Sequence, residues 1–116
     1  MSLIRLKPGK RMSQGVLLGN AIFLAGQVAE KTAGGPVGAQ TAEVLGQIDA
    51  LLAEAGSDKT KILMATIYLA DISTFGEMNA EWDQWVVEGA TPARATVEAR
   101  LVAPEYKVEI VVVAVA

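Results

Sequence analysis

Residues 107–116 read Lys-Val-Glu-Ile-Val-Val-Val-Ala-Val-Ala, and this stretch decides the fold. Side chains of a β-strand alternate between its two faces. The even positions from Val108 to Ala116 are all apolar, and the odd positions turn from charged to apolar after Glu109. Both faces of this strand are therefore expected to be buried along most of its length. Helices of the same chain can cover one face, and either another subunit or a loop must cover the other.

The segments before this strand carry further strand and loop patterns. Residues 15–25 predict two short strands joined at Gly19-Asn20, a pair that favours tight hairpin turns. Residues 32–38 contain three glycines and a proline and predict a loop. Residues 62–70 predict a buried strand, and residues 95–101 and 108–115 predict two more.

Two helices are expected between these strands. In the first, apolar residues recur at steps of three and four and Gly56 follows as a terminating glycine: Val44, Leu45, Ile48, Leu51, Leu52 and Ala55. Asp71 and Ser73 offer N-caps for the second helix, whose apolar face comprises Phe75, Met78, Trp82, Trp85 and Val86. Because each helix bridges two strands, the order predicts an α+β domain with an open mixed sheet and both helices on one face.

Composition limits the chemistry that the chain can perform. Its 116 residues fit a single domain, residues 1–116, and the 52% share of hydrophobic residues suggests that part of the surface is covered by another subunit. The absence of cysteine and histidine excludes thiolate chemistry, the commonest zinc ligand and the commonest general base. A net charge of −3 with scattered basic residues argues against a nucleic-acid surface. The start of the chain has no signal-peptide pattern and no stretch is long enough to span a membrane, so a cytoplasmic location is expected.

Several short motifs follow one another in an order typical of a known family. Residues 91–98, Thr-Pro-Ala-Arg-Ala-Thr-Val-Glu, are similar to a Pro-[Ala/Val]-Arg motif, and residues 106–110 to a closing Val-Glu-Ile strand. Gly19-Asn20 and Leu-Ala-Gly-Gln at 24–27 are similar to the same family's hairpin and Ser-Gly-Gln segment. On these motifs the sequence resembles the Rid (YjgF/YER057c/UK114) family, and the resemblance covers nearly the whole chain. Residues 79–87 and 104–109 look closest to its YoaB-like branch.

The resemblance implies a fold, an assembly and an activity. The fold would be chorismate-mutase-like, with a mixed six-stranded sheet and two helices packed on one face. The assembly would be a homotrimer with three clefts between subunits, each for a small carboxylate or imine. RidA-type members hydrolyse reactive enamines and imines, such as 2-aminoacrylate, to 2-keto acids and ammonia. We therefore expect a deaminase that uses no cofactor, no metal, no nucleic acid and no membrane.

Two charged residues are the expected catalytic residues. The resemblance implies that Arg94 grips the substrate carboxylate, and a guanidinium can hold a carboxylate through two parallel hydrogen bonds. The alternative is a structural ion pair on a strand. Glu109 matches a glutamate near the reacting carbon, where a carboxylate can position and deprotonate a water. Its alternatives are a solvated charge at the end of a strand, or a salt bridge to Lys107 or Arg100.

The resemblance also implies a set of substrate-binding residues: Arg94, Thr96, Gly26, Asn79 and Met12. Three positions depart from the RidA pattern, because Met12 replaces a tyrosine, Ala25 a serine and Thr96 frequently a cysteine. These departures keep open a non-catalytic binder or sensor of small carboxylates. An endoribonuclease or translation inhibitor is the less favoured alternative, since the chain lacks histidine and is acidic overall.

Overall fold

The computed structural model describes residues 2–116, which form seven strands and two α-helices. Short 3-10 turns, Lys59–Lys61 and Ile72–Thr74, precede the fifth strand and the second α-helix. The elements in chain order are β1 Leu3–Leu6, β2 Gly15–Leu18, β3 Ala21–Leu24, β4 Gln27–Val28, α1 Val37–Glu54, β5 Ile62–Leu69, α2 Phe75–Trp85, β6 Ala93–Glu98 and β7 Val108–Val115.

All strands belong to one mixed sheet, in the order β1-β2-β3-β7-β5-β6, with β4 paired to β7 beside β3. Only β5 and β6 run parallel, and α2 lies in the connection between them. The expected α+β class, mixed sheet and two helices are confirmed. The expected six strands become seven because the two-residue β4 adds a short segment along β7. β1 and β4 were not predicted from the sequence pattern.

One face of the sheet carries the hydrophobic core. Side chains from both helices pack with inward-facing residues of β3, β5 and β7 in a single cluster. In β7 the even-numbered residues of this face are buried, as the alternation predicts. Because each of these apolar side chains contributes roughly 1.5–3 kcal/mol when fully buried, this face accounts for most of the hydrophobic stabilisation.

The opposite face of the sheet, here called the open face, is only partly covered. Val111 and Val113 of β7 are half-buried, and Phe23, paired with Val113, remains 48% exposed. Leu18 and Val97 lie on the same face, at 40% and 45% exposure. Within residues 2–116, therefore, no loop completes the cover that the two apolar faces of β7 require.

The helix boundaries differ from prediction in an instructive way. α1 begins at Val37, inside the segment predicted as a loop, because Pro36 is the N-cap and the helix continues directly after it. It ends as predicted: Gly56 has a φ of +80° and its N–H donates to the Ala53 carbonyl. Asp71 caps a 3-10 turn through Ser73 N–H instead of capping α2 itself.

The predicted apolar face of α2 and the predicted bounds of β6 also need correction. Met78 and Trp82 are buried in the core, as predicted, whereas Phe75 is 39% exposed. β6 runs from Ala93 to Glu98 instead of 95–101, because the chain leaves the sheet after the Ala99 N–H donates to the Leu69 carbonyl.

Candidate functional site

Arg94 lies between the edge strand β6 and helix α2. It pairs with the buried Ala65 of β5, which places it on the helix-covered face of the sheet. Its Nη1 donates a hydrogen bond of 2.8 Å to Oδ1 of Asn79 on α2. The guanidinium carbon lies 5.2 Å from the ring centroid of Trp82 and 5.6 Å from that of Phe75. This explains why Phe75 is not in the core: its ring contacts the arginine.

The contacts of Arg94 fix its position without neutralising its charge. An amide oxygen carries no net charge, and aromatic rings attract a cation only weakly compared with a carboxylate. The hydrogen bond to Asn79 uses one of the five N–H donors of the guanidinium. The half-buried side chain therefore keeps a positive charge that none of these three contacts neutralises. This hydrogen bond joins Arg94 to a neutral amide and not to a carboxylate, so it does not support the alternative of a structural ion pair.

Thr96 follows Arg94 on the same face of β6. It pairs with the buried Ile67 of β5, two positions beyond the pair formed by Arg94 and Ala65. Its hydroxyl oxygen is buried and has no hydrogen-bond partner among residues 2–116. A buried polar group without a partner costs about 1–3 kcal/mol, so this hydroxyl is an unsatisfied group on the same strand face as the guanidinium.

Glu109 lies on the open face, near the beginning of β7. It pairs with Tyr68 of β5 on one side and with Val28 of β4 on the other. Its side chain packs on Gly26, in the short connection between β3 and β4. A Cβ atom on Gly26 would overlap Oε2 of Glu109 and lie 2.9 Å from its Cδ. Only glycine allows the carboxylate to lie against the backbone here.

A chain of glutamine side chains holds the segment that contains Gly26. Gln27 Nε2 donates to Oε1 of Gln14 and to the carbonyl of Ala25, each at 3.0 Å. Gln47 of α1 donates from Nε2 to Oε1 of Gln27 at 3.1 Å. The N–H of Ala25 in turn donates to the Gln14 carbonyl at 2.9 Å. This network could not be predicted from the sequence, because glutamines distant in the chain give no periodic signal.

The predicted site residues form two groups in a single chain. Arg94, Thr96 and Asn79 meet between β6 and α2, whereas Gly26 and Glu109 meet on the other face of the sheet, with β5 between β6 and β7. Met12 lies in the loop between β1 and β2, where it is 51% exposed. One chain alone therefore does not bring the arginine and the glutamate together on one face.

Residues 2–116 contain no group of three or more His, Cys, Asp or Glu side chains placed to hold a metal ion. None of the helices described is both long and apolar enough to cross a membrane. The chemistry available at the two groups is that of a guanidinium, a hydroxyl, an amide and a carboxylate.

Comparison with known sequences gives matches along almost the full chain. A family model described as Endoribonuclease L-PSP matches residues 3–116. A RutC family protein of Haemophilus influenzae is 46% identical over 114 residues, which cover 98% of this chain and 98% of that protein. The RutC family protein YoaB of Escherichia coli K12 is 45% identical, with the same coverage of both chains. These matches confirm the resemblance inferred from the motifs, including its YoaB-like character.

Solved structures agree with the sequence matches. NMB1025 of Neisseria meningitidis, a member of the YjgF protein family, superposes with a TM-score of 0.96 at 49% identity, covering 99% of this chain and 95% of that one. Rv2704 of Mycobacterium tuberculosis, of the YjgF/YER057c/UK114 family, gives a TM-score of 0.89 at 25% identity, covering 99% and 100%. The predicted fold class is thereby confirmed.

Proposed function

Because the chain belongs to the Endoribonuclease L-PSP family, which includes the YjgF and RutC proteins, we propose that it is an enamine/imine deaminase. Its substrates would be 2-aminoacrylate-type intermediates, and its products 2-keto acids and ammonia. The observation that carries the proposal is the guanidinium of Arg94, held by Asn79 and two aromatic rings with its charge unneutralised by them.

Arg94 is proposed to anchor the substrate carboxylate. The aromatic faces of Phe75 and Trp82 limit its movement, so little side-chain entropy remains to be lost when a ligand binds. Asn79 fixes the rotation of the guanidinium plane. The Thr96 hydroxyl adds a further hydrogen-bonding group on the same face. Together these features favour a planar anion with two oxygens.

Glu109 is proposed to position the attacking water. The enamine first tautomerises to an imine, and water then adds to the carbon of the protonated C=N bond, passing a proton to the carboxylate. The resulting carboxylic acid returns this proton to the nitrogen of the carbinolamine. The C–N bond then breaks to release ammonia, and the hydroxyl group loses its proton to the carboxylate, which leaves the keto acid. Contact with Gly26 supports the carboxylate from the side of the backbone. No metal or cofactor enters any of these steps.

A homotrimer with clefts between subunits supports this chemistry better than a monomer. Arg94 and Glu109 lie on opposite faces of the sheet, so a cleft that uses both needs more than one copy of the chain. The open face offers the apolar surface for such an association, with Phe23 at 48% exposure and Val113 beside it. We propose that copies of the chain cover this face for one another.

A non-catalytic binder of small carboxylates is the second candidate. It is favoured by Met12 and Ala25, which offer a thioether and a methyl group but no hydroxyl to the proposed cleft. Endoribonuclease or translation-inhibitor activity has less support, because the chain has no histidine and carries a net charge of −3.

Direct measurement of imine hydrolysis tests the proposal. A pyridoxal-phosphate-dependent lyase generates 2-aminoacrylate or 2-iminopropionate in the cuvette, and release of the keto acid is followed with and without this protein. Acceleration above the spontaneous rate supports the deaminase. Tight pyruvate binding without acceleration supports the binder. If the protein shows neither acceleration nor pyruvate binding, both candidates are overturned.

A further inference from the structure

A polar cavity lies on the helix-covered side of the molecule, between α1 and the loop after β1. Its volume is about 370 Å³, within the range of roughly 300–1,000 Å³ that is typical of small-molecule sites. It is lined by three glutamines and two opposite charges, namely Gln14, Gln27, Gln47, Lys7 and Glu30, with Leu51 among its apolar residues. Because Gln27 pairs with Ile110 and not with Glu109, the Gln27 side chain lies on the other face of the sheet from Glu109.

The hydrogen bonds of the glutamines fix which polar atoms the cavity presents. Both N–H groups of Gln27 are used, on Gln14 Oε1 and the Ala25 carbonyl, so its Oε1 must face Gln47. Both N–H groups of Gln47 are also used, on Gln27 and the Val28 carbonyl at 3.2 Å. The carbonyls of Ala25 and Val28 thus set the orientation of the three glutamine amides, directly for Gln27 and Gln47 and through Gln27 for Gln14. The Nε2 group of Gln14 is left as a donor and the Oε1 atom of Gln47 as an acceptor.

Lys7 is brought to this cavity by an uncommon backbone conformation. Its φ of +46° makes it the single non-glycine residue with positive φ within residues 2–116. The residue also precedes Pro8, a position where bulky neighbours restrict the backbone further. Such strained conformations concentrate at ligand sites, where the surrounding structure maintains them.

We propose that this cavity binds a free amino acid with a side-chain carboxamide, of which L-glutamine and L-asparagine are the natural forms. The ligand's carboxamide would accept from Gln14 Nε2 and donate to Gln47 Oε1. Its carboxylate would meet Lys7 and its ammonium group Glu30, so the two charges of the cavity match the two charges of a zwitterion. The proposal is independent of the deaminase activity and involves no residue assigned to it.

The cavity is connected to the segment next to Glu109. Gln27 lines the cavity and holds the Ala25 carbonyl, and the residue between them, Gly26, packs on the Glu109 side chain.

Titration calorimetry with L-glutamine on the full chain tests the proposal. Saturable binding is expected for L-glutamine, with much weaker binding for L-norvaline, which lacks the carboxamide, and for propionamide, which lacks the charges. Lys7→Met should weaken L-glutamine binding roughly tenfold or more, as expected for a lost charge-assisted hydrogen bond. The matched control Lys10→Met changes an exposed lysine of the same loop and should bind like the parent protein.

A second pair of variants guards against misfolding and misassignment. Gln47→Leu should also abolish binding, and its circular dichroism shows whether the fold is retained. Arg94→Ala should leave L-glutamine binding unchanged, since Arg94 lies between β6 and α2 and not in this cavity. Absence of saturable binding, equal binding by Lys7→Met, or loss of binding in Arg94→Ala would each overturn the proposal.

Discussion

Gly26 and Glu109 are far apart in the sequence, yet the glutamate side chain fills the space that a Cβ atom on Gly26 would occupy. The contact joins the β3–β4 connection to the central strand β7. It gives the carboxylate a fixed support on the face of the sheet that the helices leave open. The position of the proposed water-activating group therefore depends on a residue that has no side chain.

Replacing Gly26 by alanine tests this dependence. In Gly26→Ala the new methyl group must displace the Glu109 carboxylate, and a displacement of about 1 Å can cost roughly 10²-fold in rate. Imine hydrolysis should fall by about that factor, measured as kcat/KM at constant pH. Gly46→Ala on α1 is the control, because a Cβ there meets no atom within 4 Å and alanine favours a helix by about 0.5–1 kcal/mol. Equal activity in both variants would contradict the proposed role of the contact.

Replacing Arg94 tests the carboxylate anchor. Arg94→Ala should abolish calorimetric binding of pyruvate and 2-ketobutyrate, because it removes both the charge and the forked donors. Arg94→Lys should restore little, since an ammonium group cannot make two parallel hydrogen bonds to a carboxylate. Arg100→Ala, at an exposed position just after β6, should bind normally. Unchanged affinity in Arg94→Ala would remove this residue from the site.

Glu109→Gln separates catalysis from binding. The amide keeps the shape of the side chain but cannot accept the proton of the attacking water, so the rate should fall by about 10²- to 10⁴-fold. Affinity for pyruvate should stay the same or rise, because a negative charge leaves the neighbourhood of the anion. Parallel hydrolysis and calorimetry on one preparation provide the comparison. A variant as active as the parent would exclude Glu109 from the mechanism.

The open face predicts the oligomeric state. Light scattering after size exclusion should give about three times the chain mass of 12.2 kDa. Phe23→Asp introduces a charge into the middle of this face and should reduce the mass toward that of one chain. Val102→Asp is the matched control, because Val102 is 85% exposed and lies in the loop between β6 and β7. A monomeric parent protein would remove the basis for a shared cleft.

Glu43 predicts how stability changes in acid. Partial burial alone would raise its pKa, but hydrogen bonds from the Thr32 hydroxyl and from the N–H groups of Lys31 and Thr32, with the Lys31 charge, outweigh this effect and lower the pKa. Because the pKa is lowered in the folded state, the carboxylate stabilises the fold at pH values above its ordinary pKa of 4.5. This stabilisation is lost as the pH falls through the folded-state pKa.

Chemical denaturation at several pH values measures this effect. The free energy of unfolding of Glu43→Gln should fall less between pH 6 and about pH 3 than that of the parent, since the carboxylate that titrates is absent. Glu54→Gln, at an exposed position near the end of α1, should retain the parental pH dependence. A parental slope in Glu43→Gln would show that other groups dominate the acid response.

Patterns local to the chain predicted most of the architecture. The apolar stripe of α1, the terminating Gly56 and the alternation in β7 are all set by neighbouring residues, and each appears in the structure. β1 was missed because its sequence, Leu-Ile-Arg-Leu, is short and does not alternate strictly between apolar and polar residues. β4 was missed because two residues are too short to show any periodicity.

The geometry of the candidate site rests on contacts between distant elements, which no local sequence pattern contains. The family motif identified Arg94, but its contacts with Asn79, Phe75 and Trp82 arise only when α2 packs beside β6. The separation of Arg94 from Glu109 follows from strand register, which a sequence specifies only through the completed sheet.

The central position of β7 has a consequence for biosynthesis. β7 joins β3 on one side to β5 on the other, yet the ribosome adds it after all six other strands. Until it emerges, the nascent polypeptide carries two sheet fragments whose facing edges, β3 and β5, have unpaired backbone groups. Such edges pair readily with other chains, and contacts this distant in sequence form slowly. Newly made chains are thus most vulnerable to aggregation in the interval before β7 inserts.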